Sequence, residues 1–292
     1  MNRHLEQPTP TNIKIATDFV LKKWQERAAE RGFSTPEDLS GSCKFSALFF
    51  KEVFGGEIQA NPNHVFVVRN GIIYDLNQEA ADVLKFERDF NEKNKTGWIK
   101  NQYGWEDWVS DPHHHSASFA RNAEFKESLK SCMPRVKEWA EEFRSVLLPT
   151  IIRQVRDSYC NEHSITPGMI NNGYCENLAD DVITLWQGDN WIQREGSEHW
   201  QTLWHDELMS SEVSFDWKLT EKYWNSPKPS DLSEDQDVEF AVHFPSHCWI
   251  AAYGRHYDAL SPDGVERFYE LDGASRCLED IRDRASTTGC RM

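Results

Sequence analysis

Two stretches of the chain repeat one pattern of chemically capable residues, so the fold has to house that pattern twice. The first runs His64-Val65-Phe66-Val67-Val68-Arg69-Asn70-Gly71-Ile72-Ile73-Tyr74-Asp75. The second runs His247-Cys248-Trp249-Ile250-Ala251-Ala252-Tyr253-Gly254-Arg255-His256-Tyr257-Asp258. In both, histidine and aspartate stand 11 residues apart, with an aromatic, a glycine and a tyrosine at the same offsets. A Gly-x-Cys precedes each, at Gly41-Ser42-Cys43 and Gly173-Tyr174-Cys175, with alanine four residues on (Ala47, Ala179). The match extends outward to Thr35-Pro36 and Thr166-Pro167 upstream and to Val83, Phe86 and Val265, Phe268 downstream. A spacing between one His and one Asp would mean little in a chain with 11 His; the shared glycine, tyrosine and aromatic positions argue for an internal repeat.

The repeat organises the chain. Residues 1–11 read as a disordered tail, 12–112 as a first Cys-His-Asp unit, 113–149 as a helical connector and 150–292 as a second unit. Helical patterning covers 13–31, 44–54, 151–162 and 176–187, the second and fourth ending at Gly55 and Gly188. The connector carries a helical pattern from Ala117 to about Leu148 that Pro134 can interrupt. The units differ in one respect: Cys43 to His64 spans 21 residues and Cys175 to His247 spans 72. The excess of about 51 residues reads as an insertion at about 189–237, ending in a Pro- and acid-rich loop at 226–237. Trp186, Trp191, Trp200, Trp204, Trp217 and Trp224, half of the chain's 12 Trp, fall in or beside it.

Local chemistry explains why the three residue types belong together. Asn70-Gly71 between apolar runs signals a two-residue hairpin turn, and Tyr253-Gly254 takes the same place in the second unit. With that turn Phe66 faces Asp75, which makes His64 a diagonal neighbour of Asp75 on one face; the same count makes His247 diagonal to Asp258. The carboxylate can then hold one imidazole nitrogen and leave the other for chemistry. Tyr74 and Tyr257 are expected in cross-strand packing. The cysteines fall where helices begin, and free N–H groups with a positive dipole end lower a thiol pKa and can hold an oxyanion. Lys44 favours a thiolate at Cys43, whereas Glu176, Asp180 and Asp181 oppose one at Cys175. Second oxyanion donors could come from Asn171 or Asn172 in one unit and Ser40 or Ser42 in the other.

Gly-x-Cys on a helix, His-x-aromatic-aliphatic on a strand and Tyr-Asp on the next strand resemble the papain-like superfamily. The likeness is greatest to compact bacterial and phage transglutaminase-like and cell-wall-peptidase-like members. The resemblance implies an α+β fold of two papain-like or transglutaminase-like units, each a Cys-bearing helix on a small antiparallel sheet. It also implies Cys43 or Cys175 as nucleophile, His64 or His247 as base, and Asp75 or Asp258 as orienting acid. The expected function is a cysteine-dependent hydrolase or acyltransferase (peptidase, amidase, deamidase or transglutaminase-like) acting on a protein or peptide through a thioester. The alternative is a non-catalytic inhibitor or effector that keeps the duplicated fold as a scaffold. Trp191, Trp200, Trp204 and Trp249 are the candidate substrate- or partner-binding residues, because aromatics dominate interface hot spots.

Composition narrows the partners. A net charge of −16 argues against nucleic acid and anionic membrane and leaves protein or peptide partners. No apolar run reaches the roughly 18 residues of a membrane helix. Seven Cys, odd and widely spaced, read as reduced thiols, which together with an N-terminus lacking an apolar signal core gives a cytoplasmic expectation. No cofactor is expected, since neither a phosphate-cradling glycine loop nor a dinucleotide fingerprint is present. No metal is expected at His113-His114-His115, because three adjacent histidines on irregular chain rarely converge on one ion.

Overall fold

The computed structural model describes residues 5–60, 65–76, 98–101, 106–108, 122–189, 191, 199–210 and 214–289. The chain is mixed α+β and divides into two compact units, Met1–Leu147 and Leu148–Met292. A helical connector was expected over 113–149, and helices α3 (Ala123–Lys130) and α4 (Met133–His163) occupy the described part of it, with the division falling inside α4. The helical pattern expected to run to about Leu148 breaks at 131–132, as Pro134 was expected to allow, and Pro134 sits in the first turn of α4, where a missing N–H costs nothing.

In the first unit, helix α1 (Pro10–Glu30) starts on a Thr9 side chain that accepts from the Asn12 N–H, with proline in its first turn. The expected disordered tail is therefore corrected over residues 5–11. Glu6 is buried, and its N–H donates to the Val53 carbonyl at 3.0 Å. Helix α2 (Cys43–Phe54) begins on the cysteine itself and buries Phe45, Phe49, Phe50, Val53 and Phe54. Phe49 meets Phe19 of α1 and Phe143 of the long helix at ring distances of 5.7 and 5.3 Å. The strands β1 (Glu57–Ala60), β2 (Val65–Arg69) and β3 (Ile72–Tyr74) follow as an antiparallel meander, and β4 (Trp98–Asn101) and β5 (Glu106–Trp108) extend the sheet on the β3 side. Asn70 (φ 53°) and Gly71 (φ 76°) both take left-handed backbone, as the hairpin turn requires.

The second unit repeats this order of elements. After the short helix α5 (Pro167–Asn171) comes α6 (Cys175–Gln187), again starting on cysteine. Its buried Leu178, Ala179, Val182, Ile183 and Trp186 recur at helical spacing and form one apolar face. Gly188 ends it at φ 83°, and Gly55 ends α2 at φ 84°. The sheet is β6 (Trp200–Trp204), β7 (Cys248–Ala252) and β8 (Arg255–Tyr257), antiparallel in that order. Tyr253 (φ 52°) and Gly254 (φ 74°) make the turn between β7 and β8.

Register shows where the extra residues of the second unit lie. Phe66 of β2 pairs with Gln59 of β1, and Trp249 of β7 pairs with Leu203 of β6. Strand β6 is thus the counterpart of β1, and the single insertion expected at 189–237 is corrected to two pieces on either side of it. The expected Pro- and acid-rich loop is present over 226–233 in the larger piece. That piece also contains helices α7 (Trp217–Trp224) and α8 (Glu234–His243), the latter starting inside the segment read as loop and held there by a Ser233–Gln236 capping box. Phe215, Trp217, Trp224, Phe240 and Phe244 pack with Trp249, Phe268 and the C-terminal helix Asp272–Gly289 into one core. Phe215 and Phe268 stack at 4.8 Å. Because side chains alternate along β7, Trp249 and Ala251 serve this core while Cys248 and Ile250 face α6.

Trp200 and Trp249, expected on a binding surface, are each only 1% exposed. Trp200 is wedged between Trp186 and Trp191, and Trp249 stacks on Phe268 at 5.7 Å, so neither offers a face to a partner. Among the described residues no helix is long and apolar enough to cross a membrane.

Candidate active site

In the second unit the expected triad residues come together. Helix α6 starts at Cys175 without a side-chain cap from Tyr174, which leaves first-turn N–H groups for other acceptors. Strand β7 begins one residue after His247, and Asp258 follows the last residue of β8. The pairing of Ile250 with Tyr257 carries on to set Asp258 opposite Trp249, one step diagonal from His247. His247 Nε2 lies 3.2 Å from Asp258 Oδ2, with both side chains buried.

Asp258 is fully engaged. Its Oδ2 also accepts from Asn171 Nδ2 at 3.0 Å, and its Oδ1 accepts from the Leu260 and Ser261 N–H groups at 2.9 and 2.7 Å. Four donors on two oxygens suit a carboxylate held in one orientation. Asn171 completes the brace by accepting from the Ala259 N–H at 3.2 Å. Its amide is therefore committed to the acid; Asn172, the other residue considered as an oxyanion donor, is exposed and lines the same cleft.

His247 Nδ1 is buried and makes no regular hydrogen bond among the described residues, which leaves it for the thiol. Burial pushes the His247 pKa down, but the Asp258 carboxylate bonded to Nε2 and the Cys175 sulfur beside the ring outweigh it and raise the value to about 9. Burial pushes the Cys175 thiol up, and the histidine with the N–H groups of Cys248 and Glu176 reverses that, holding it below the ordinary thiol value. The two shifts share one cause: thiolate and imidazolium stabilise each other. The acids after Cys175, expected to oppose a thiolate, weigh instead on Cys248, whose thiol is raised first by burial and then by Cys175, Asp180, Glu176 and Glu207.

Two concavities flank this group. A cleft of about 960 Å³ is lined by His247, Asn171, Asn172, Leu260 and residues of the C-terminal helix, among them Arg276 and Asp280. A smaller pocket of about 350 Å³ is lined by Glu176, Asp180, Glu207, Trp191, Trp204 and Cys248, with Gln201 and Thr202.

In the first unit, Cys43 is half-buried at the start of α2, and Asp75 is buried just after β3. The expected base, His64, lies outside the described residues, as do His113, His114 and His115. Lys44, expected to favour a Cys43 thiolate, donates to Ser128 Oγ at 3.0 Å and lies over the Phe125 ring. Ser42, considered as an oxyanion donor, donates to the Leu39 carbonyl at 2.6 Å and lies 2.8 Å from Ser46 Oγ. Among the described residues no group of His, Cys, Asp and Glu is arranged to hold a metal ion.

Sequence reasoning missed the bracing role of Asn171 because the matching position four before Cys43 is Leu39, so the repeat carried no signal for it. It also missed His256, fully buried behind the sheet, whose Nδ1 accepts from Trp249 Nε1 at 3.0 Å. Comparison with protein-family models, with curated proteins and with solved structures finds no match for this chain.

Proposed function

We propose that the second unit is a cysteine-dependent acyl-transfer centre with Cys175 as nucleophile, His247 as general base and Asp258 as the acid that orients it. The observation that carries this reading is the placement of a buried imidazole between a braced carboxylate and a thiol at a helix start, each shifting the other toward the charged pair. Such a pair attacks an amide, ester or thioester carbonyl to give a thioester and expels the leaving amine, alcohol or thiol. Water or an amine then takes the acyl group. The helix N-terminus supplies N–H groups for the oxyanion. This centre accords with papain-like or transglutaminase-like units present in tandem, the first of them carrying Cys43 and Asp75. Its substrate class is a protein or peptide, since the large cleft beside His247 mixes apolar and charged walls.

The scaffold-only alternative has less support, because two of the four tryptophans expected to serve partner capture, Trp200 and Trp249, are buried. The test is acid-quenched mass spectrometry after mixing with an activated acyl ester. The expected result is an acyl adduct on Cys175 that hydroxylamine removes, absent in Cys175→Ala. Equal acylation of the other cysteines would overturn the proposal.

A further inference from the structure

The pocket on the Cys248 side of the thiol differs in character from the cleft on the His247 side. Two half-buried indoles, Trp191 and Trp204, line it together with three carboxylates, Glu176, Asp180 and Glu207. Among the described residues no lysine or arginine lines it. Glu176 and Glu207 have no ion-pair partner among the described residues. The Cys248 thiol, 3% exposed, also lines the pocket and makes no hydrogen bond to a described residue. Glu176 directly follows the proposed nucleophile, and the Cys248 N–H bonds to its sulfur, so the pocket adjoins the reacting atom.

Aromatic faces attract cations through the ring quadrupole, and carboxylates fix them by charge-assisted hydrogen bonds. Apolar side chains would gain the indoles but bury acid edges without a partner, and anions would be repelled outright. We propose that this pocket is a specificity subsite for a cationic side chain, the ammonium of lysine or the guanidinium of arginine, on the peptide whose acyl group Cys175 attacks. The inference rests on the acyl-transfer reading above and names the residue class presented to that centre. Trp191 and Trp204 would stack on the side chain, with Glu207 and Asp180 facing its charge.

The test uses three methanethiosulfonate reagents on the full-length protein: a neutral methyl, a cationic trimethylammonium ethyl and an anionic sulfonatoethyl. In each, the thiolate attacks the thiosulfonate sulfur, forms a mixed disulfide and expels methanesulfinate. Rates at Cys175 are read by peptide mass spectrometry. The expected cationic-to-anionic rate ratio at Cys175 exceeds that at Cys160 by about tenfold or more, a difference of about 1.4 kcal/mol. It should fall several-fold in Glu207→Gln, and also in Trp204→Phe and Trp204→Ala in the order of lost indole, with the neutral reagent's rate unchanged. A ratio equal to that at Cys160 overturns the subsite while leaving the nucleophile standing. A ratio that responds to Glu207→Gln and ignores both Trp204 variants also overturns it, because a general acidic field would then suffice. If Cys175 reacts with the neutral reagent no faster than Cys160 does, the acyl-transfer reading fails, and the subsite with it.

Discussion

The 3.2 Å contact between His247 Nε2 and Asp258 Oδ2 joins two elements that are each fixed independently. His247 is set by the start of β7, and Asp258 by Asn171 and two backbone N–H groups. Only a diagonal pair across a tight hairpin allows that contact, and left-handed backbone at Tyr253 and Gly254 provides the hairpin.

Replacing the acid should move the base. In Asp258→Asn the group that raises His247 is neutral, so its pKa should drop from about 9 toward the ordinary value near 6.5. NMR titration of the His247 ring reads this directly. Reactivity of Cys175 near pH 8 should fall by about tenfold or more, because the imidazolium that holds the thiolate is lost.

Asn171 is a positioning residue, acting through Asp258. Asn171→Leu removes the 3.0 Å donor to Asp258 and the acceptor for the Ala259 N–H, and leaves buried groups unsatisfied. The expected cost is about 1–3 kcal/mol in urea unfolding. The His247 titration should also broaden or shift, which a purely structural loss elsewhere would not produce.

His256 makes the second unit sensitive to acid. Burial depresses its pKa to about 3, so it is neutral when folded, whereas in the unfolded chain it protonates near pH 6.5. The unfolded state then binds the extra proton between pH 6.5 and 3. Stability is present above that window and is lost as pH falls through it, by up to about 1.4 kcal/mol per pH unit. His256→Gln can keep an acceptor for Trp249 Nε1 without titrating in this range. Urea midpoints between pH 6.5 and 4.5 should therefore slope less in that variant than in the parent, and equal slopes would refute the assignment.

Gly264 is a backbone requirement of the same site. Its φ is +72°, and a Cβ there would stand 2.4 Å from the Tyr257 ring, next to Asp258. Gly264→Ala should destabilise the protein by about 2 kcal/mol or more, read as a lower thermal midpoint.

Much of this site was legible because hairpin geometry is arithmetic. Asn70-Gly71 and Tyr253-Gly254 fix the turn, the turn fixes the register, and the register sets histidine diagonal to aspartate in the second unit. The starts of α2 and α6 on Cys43 and Cys175 follow from apolar spacing and terminal glycines. What escaped were contacts made between elements distant in sequence. Asn171 and Asp258 are 87 residues apart, and no local pattern links them. The tryptophans misled for a related reason: composition cannot tell an indole packed on a sheet, as Trp249 and Trp200 are, from one open to a pocket, as Trp204 is. Lys44 beside Cys43 misled as well, since sequence adjacency on a helix says nothing of where a long side chain ends, and Lys44 ends on Ser128.

The most direct measurement is the pH dependence of iodoacetamide alkylation at each cysteine, resolved by mass spectrometry, in the parent protein and in His247→Ala. The expected result is a Cys175 that alkylates well below pH 8 while buried Cys248 and Cys277 stay slow, with the low-pH reactivity of Cys175 lost in the variant. A Cys175 profile that rises only near the ordinary thiol pKa, and is the same with or without His247, would contradict the thiolate–imidazolium pair on which the proposed chemistry stands.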